Sequence, residues 1–121
     1  MALLGRDAPH RFLVQNYERG RDVRGNSTLV RVGDPVWVRG QGEPSRDWSS
    51  AEENLYNGLQ IIDLLVVRAR DWPGTVDSLV LFDGGIYETS GAPQHYGTGR
   101  RTQHWRVTLK WVRDAVPGEV P

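Results

Sequence analysis

"LFDGGIYETSGAPQHYGTGRRTQHWRVTLKWV", residues 81–112, holds two strand-like runs separated by a long polar excursion. In the second run Trp105, Val107, Leu109 and Trp111 alternate with Arg106, Thr108 and Lys110. A period of two, apolar on one side and polar on the other, predicts a half-buried β-strand. The first run continues "DSLVLF" through Asp83-Gly84 into "GIYET". An Asp-Gly pair flanked by apolar residues is a strong hairpin signal, because both turn positions need positive φ. Hairpin plus strand point to a mostly β chain.

Composition agrees with that reading. The chain has 121 residues, one domain's length, enough to bury about two-thirds of its unfolded surface around one core. A hydrophobic fraction of 38% with 14 Gly and 7 Pro favours short strands and loops over a helical bundle. No cysteine excludes disulfides, thiolate metal sites and a cysteine nucleophile. Positive and negative side chains balance at 15 each, so the whole molecule has no net pull toward nucleic acid or an anionic membrane. All but Lys110 of the basic residues are Arg. The start, "MALLGRDAPHRF", is too short in apolar residues for a signal peptide, and no run approaches the ~20 apolar residues of a membrane span. A soluble, intracellular product is expected.

Upstream, "HRFLVQNY" (10–17) reads as a first strand, followed by a solvated loop in "ERGRDVRGNS" (18–27). "TLVRV", "GDP" and "VWVRG" give two short strands or one interrupted strand, which Pro35 assigns to a sheet edge. One short helix is predicted in "SSAEENLYNG". Ser50 with Glu53, or Ser49 with Glu52, makes a capping box, Gly58 a C-cap, and Trp48 with Leu55 a hydrophobic staple. "LQIIDLLVVRAR" (59–70) is apolar on both alternating faces, as in a strand covered on both sides, the second cover being the helix or another subunit. The tail "RDAVPGEVP" lacks periodicity and is expected to be loose. The whole is a mostly β domain: a small β-barrel or sandwich of five to six short strands with one short α-helix and long loops. Residues 1–9 form an N-terminal arm, 10–112 the barrel core and 113–121 a flexible tail.

Chemical motifs are sparse. His10, His95 and His104 have no zinc-ligand spacing, though His95 and His104 could meet across the excursion with Asp83 or Glu88 supplying oxygen. "GTGRRT" and "VRGQGEPS" lack the spacing of phosphate loops, and Ser49 and Ser50 already serve as caps. Glu52 and Glu53 suit the helix dipole. Neither enzyme activity nor a cofactor or metal is expected. A rival reading is an OB-like barrel binding single-stranded nucleic acid through Trp105 and Trp111 beside Arg100, Arg101, Arg106, Lys110 and Arg113. The same alternation writes core on the tryptophan side.

The order of "HRFLVQNYE", "VWVRGQ", "SSAEENLYNG", "IIDLLVVRAR", "LVLFDGGIYET" and "WRVTLKWV" resembles the phage head-tail joining family, and within it the head-to-tail stopper, or head closure, proteins of long-tailed mycobacterial phages. The resemblance spans residues 11–112. It implies a virion protein at the head–tail junction, assembled in the host cytoplasm as a homo-oligomeric ring of six or twelve copies. Such a ring closes the channel on packaged double-stranded DNA and presents the tail docking surface. Its partners would be the portal and adaptor on one side and tail terminator or tail tube proteins on the other, with no membrane. An adaptor ring directly below the portal, or a free-standing adaptor for a host protein, stays open beside it.

For a ring subunit the candidate channel or docking loops are the excursion 90–102, with Gly91, Gln94, His95, Tyr96, Gly97, Gly99, Arg100 and Arg101, and the earlier loop with Arg21 and Arg24. Either can be the gate. The candidate subunit interface is Leu59, Ile61, Ile62, Leu64, Val66, Arg68 and Arg70.

Overall fold

The computed structural model describes residues 8–46, 63–97, 99 and 103–121. Seven strands run in the order β1 (His10–Arg21), β2 (Ser27–Arg46), β3 (Asp63–Ala69), β4 (Leu79–Phe82), β5 (Gly85–Thr89), β6 (Gln94–Tyr96) and β7 (His104–Asp114). Every pairing is antiparallel, and the spatial order β3-β2-β1-β4-β5-β7 closes because β3 also pairs with β7. The result is a small barrel, which removes the sheet edges that an open arrangement would leave.

Alternation decides what the barrel encloses. Phe12, Val14, Val38, Leu65, Val67, Ala69, Val80, Val107 and Leu109 point inward, and Trp72 joins them from the connection after β3. Phe12 stacks on Phe82 at 4.6 Å between ring centroids and meets Trp72 edge-on at 6.3 Å. Each such side chain stabilises the fold by about 1.5–3 kcal/mol relative to exposure. Gly40 lets β2 and β3 approach closely here: a Cβ on it would lie 2.7 Å from the Arg68 carbonyl oxygen. Trp111 keeps the core-side phase of Leu109 but sits at the mouth of the barrel, 42% exposed.

The β4–β5 turn is the one its sequence dictates. Asp83 and Gly84 take φ of 48° and 76° between Phe82 and Gly85. Pro35 also lies where expected, in a stretch of β2 with β1 on one side and no described strand on the other. There Val14 pairs with Val36 and Asn16 with Val32, so Gln15 faces a bulge of three residues. Gly33, at φ 67°, bends the strand, and the Gln15 amide donates to the Gly33 carbonyl at 3.2 Å.

Several expectations change. Strand β1 does not stop at Tyr17, and of the two readings of "TLVRV-GDP-VWVRG" the interrupted single strand is the one found: bulged at 33–35, it makes up the first two-thirds of a 20-residue strand. Cross-strand pairing from Tyr17↔Arg31 to Arg21↔Ser27 carries the ribbon through residues whose glycines and charges suggested a loop. The predicted helix lies outside the described residues. Nor is there a loose tail from residue 113. Arg113 and Asp114 extend β7, the Ala115 amide donates to the Gly84 carbonyl at 2.8 Å, and the side chains of Arg113 and Glu119 form an ion pair. Residues 115–121 thereby lie as a strap against the outside of β1 and β4.

Candidate functional site

The longest departure from a compact barrel is a two-stranded arm. Strand β4 accompanies β1 only over Leu13–Gln15, and β3 accompanies β2 only from Gly40 onward. Residues 16–21 and 27–32 therefore have no strand beside them except each other, among the described residues. At the tip Asp22 accepts from the amides of Arg24 and Asn26, both at 2.9 Å, and Gly25 supplies the positive φ that closes the turn. Arg21 and Arg24 are exposed there, and Val23 is wholly exposed. Leu29, Val30 and Val32 on the arm are exposed as well, and so is Val36 beyond the bulge, where it pairs with Val14. At the arm's base the Arg19 guanidinium lies 3.7 Å from the Asp77 carboxylate, and Asn16 accepts from Ser78 and donates to the Pro73 carbonyl.

The excursion after β5 does not hang free from residue 90. The Ser90 amide donates to the Thr108 carbonyl at 2.8 Å, Gly91 turns the chain at φ 78°, and Gln94, His95 and Tyr96 form β6 on the same edge of β7 that β5 has just left. The physical reason is the edge itself: His104–Arg106 present donors and acceptors that need partners. Ring contacts add to the pairing, Tyr96 with His104 at 5.1 Å and His95 with Trp105 at 4.8 Å. Gly97 and Gly99 follow in the shortened loop, while Arg100 and Arg101 lie outside the described residues. His95 and His104 do not converge, because His95 pairs with Trp105 and His104 with Tyr96, on opposite faces. No group of three or more His, Asp or Glu residues suited to a metal occurs among the described residues.

Of the candidate interface, Leu64, Val66, Arg68 and Arg70 alternate with the buried Leu65, Val67 and Ala69 and so lie on the outer face of β3. Leu64 and Val66 are half-buried, Arg68 and Arg70 exposed. Leu59, Ile61 and Ile62 lie outside the described residues. No helix among the described residues is long and apolar enough to cross a membrane.

A second outer surface, unforeseen in the sequence, forms where the strap crosses β1 and β4. It borders an open groove of about 620 Å³ lined mainly by apolar groups, among them Leu13, Trp37, Leu81 and Val116. Arg11 caps the exposed Trp37 ring at 4.6 Å. Hydrogen bonds from Arg113 and from the Val116 amide hold the Glu119 carboxyl down at a pKa of about 2, and Glu119 in turn raises that of Arg113. The only hint in the sequence was an acid six residues after a base, across Pro117-Gly118.

No family model matches the chain, and no curated protein sequence matches it. Among solved structures, the solution structure of protein SF1141 from Shigella flexneri 2a is similar at 15% identity and a TM-score of 0.47, over 84% of this chain and 90% of that one. A likeness at that level carries no argument about function.

Proposed function

We propose that the chain is a head-to-tail connector protein of the stopper type: a subunit of a ring that closes the DNA channel after packaging and offers the surface to which the tail docks. The arm carries this reading. A lone two-stranded ribbon is marginal in water, and leaving Leu29, Val30 and Val32 exposed on it forfeits about 25 cal/mol for every Å² of apolar surface that could be buried. Val30 and Val32 share one face of the ribbon and Leu29 lies on the other, and exposed apolar side chains on both faces suit contact with another protein. In a closed ring each subunit supplies an arm and receives its neighbour's, so one sequence meets both needs. The exposed Arg21 and Arg24 then place cationic forks at the far end of the arm, suited to the phosphates of DNA held in a channel.

Electron microscopy of purified virions tests the reading. Ring density for this chain between portal and tail tube, with arms bridging neighbours or reaching into the lumen, supports it and counts the copies. Density fused directly to the portal reassigns the chain to the adaptor position, and absence from the virion refutes the connector role.

A further inference from the structure

Four strands of the barrel bring an unforeseen row of side chains together. Gln41 pairs with Arg68, Arg68 with Arg106, and Arg106 with Gln94, so β2, β3, β7 and β6 carry Gln, Arg, Arg, Gln side by side on the outer face. Directly paired residues share a face, with neighbouring strands about 5 Å apart. Two guanidinium groups thus stand directly opposite each other, an arrangement that costs stability unless an anion lies between or beside them. Arg68 reaches Glu43 only at 4.0 Å, and Arg106 has no carboxylate partner among the described residues. The exposed Arg39 and Arg70 stand next along β2 and β3, so a chain with no net charge gathers guanidinium groups on one face.

One step further along β6 and β7, Tyr96 lies on His104 with ring planes 12° apart. Tyr96 is 40% exposed, and its ring is backed on one side by the imidazole. A planar ring backed by another is a stacking platform, and a platform beside paired Arg forks is the combination that holds a nucleic-acid strand whose bases are unpaired.

We infer that the outer face centred on Arg68 and Arg106 binds the phosphodiester backbone of a single-stranded nucleic acid, with Tyr96 stacking on an adjacent base. Guanidinium groups take phosphate oxygens in bidentate fashion, and the flanking Gln41 and Gln94 amides add neutral donors. The inference does not rest on the connector reading and uses a different part of the surface from the arm that carries it. It also differs from a site on Trp105 and Trp111, whose rings belong to the core side of β7.

Fluorescence anisotropy tests it, with a labelled single-stranded oligonucleotide titrated at several salt concentrations. The expected result is binding that weakens with salt and exceeds that of the duplex of the same sequence. The double variant Arg68→Gln, Arg106→Gln should bind at least about tenfold more weakly, with a salt slope shallower by about one to two. Tyr96→Ala should lose about fivefold or more on the single strand. Arg19→Gln with Arg31→Gln removes the same charge from the arm and should stay within about twofold of the parent. A thermal melt of each variant establishes that it is folded, and Arg68→Lys with Arg106→Lys, which keeps the charge, should recover part of the loss. Absence of binding at low salt, equal loss in both double variants, or equal affinity for the duplex overturns the proposal. So does tighter binding of poly-glutamate than of the strand at matched charge and salt, which would identify the face as a dock for an acidic protein.

Discussion

Arg113 grips Glu119 through both terminal guanidinium nitrogens, and that ion pair folds residues 115–121 back over the barrel. The Val116 amide donates to the same carboxylate at 2.9 Å, so one acid closes the turn and anchors the strap together.

This pairing sets a pH dependence. The Glu119 pKa is depressed from 4.5 to about 2, so its contribution is complete above about pH 4.5 and fades as the pH falls toward 2. Glu119→Gln should melt below the parent at neutral pH, with the gap closing as the pH drops through that window. A gap that stays constant down to pH 2 would show that the carboxylate does not hold the strap. Arg113 is exposed and Glu119 partly so, so the effect is small and weakened by salt.

Two glycines of β2 and the β4–β5 turn should answer differently to the same change. Gly84→Ala meets no atom within 4 Å and strains only a positive φ, which costs about 1–2 kcal/mol. Gly40→Ala drives a methyl group against the Arg68 carbonyl oxygen at 2.7 Å and must push β2 away from β3. Urea unfolding should rank Gly40→Ala as the more damaging of the two.

The indole of Trp72 is buried with Nε1 unpartnered among the described residues. A Phe there keeps most of the apolar contact with Phe12 and removes the unmatched donor. Trp72→Phe should therefore change stability by no more than about 1 kcal/mol, whereas Trp72→Ala should cost about 3–5 kcal/mol. A large loss for Phe in chemical denaturation would reveal a partner for the indole N–H.

On the arm, Leu29→Thr with Val32→Thr should leave the melting temperature nearly unchanged, within about 0.5 kcal/mol of the parent, because both side chains are exposed. If the arm bridges copies, the same pair should abolish concentration-dependent association in sedimentation runs. Undiminished association would move the subunit contact to the outer face of β3.

Local chemistry made parts of this fold readable. Asp83-Gly84 specified its turn, the alternation after His104 specified β7, and Pro35 specified a stretch without a second neighbour. Features that depend on distant partners were hidden. The arm reads as loop because Gly20, Arg21 and Gly25 break the apolar pattern, while its order comes from six paired positions, Asn16↔Val32 to Arg21↔Ser27, between β1 and β2. Gln94–Tyr96 are flanked by Gly and Pro and become a strand only where β7 offers an edge. The Arg68–Arg106 row exists only once β3 and β7 close the barrel, since the two residues lie far apart in the chain and each belongs to an ordinary alternating strand.

That closure has a consequence for synthesis. Strand β3 seals against β7 by pairing Leu64 with Lys110 and Ala69 with Trp105. While a ribosome is still making the intervening residues, β3 presents Leu65 and Val67 along an edge with nothing to dock on. A nascent chain paused before β7 is therefore a template for aggregation with its neighbours on the same messenger, and the hazard ends when the last stave emerges.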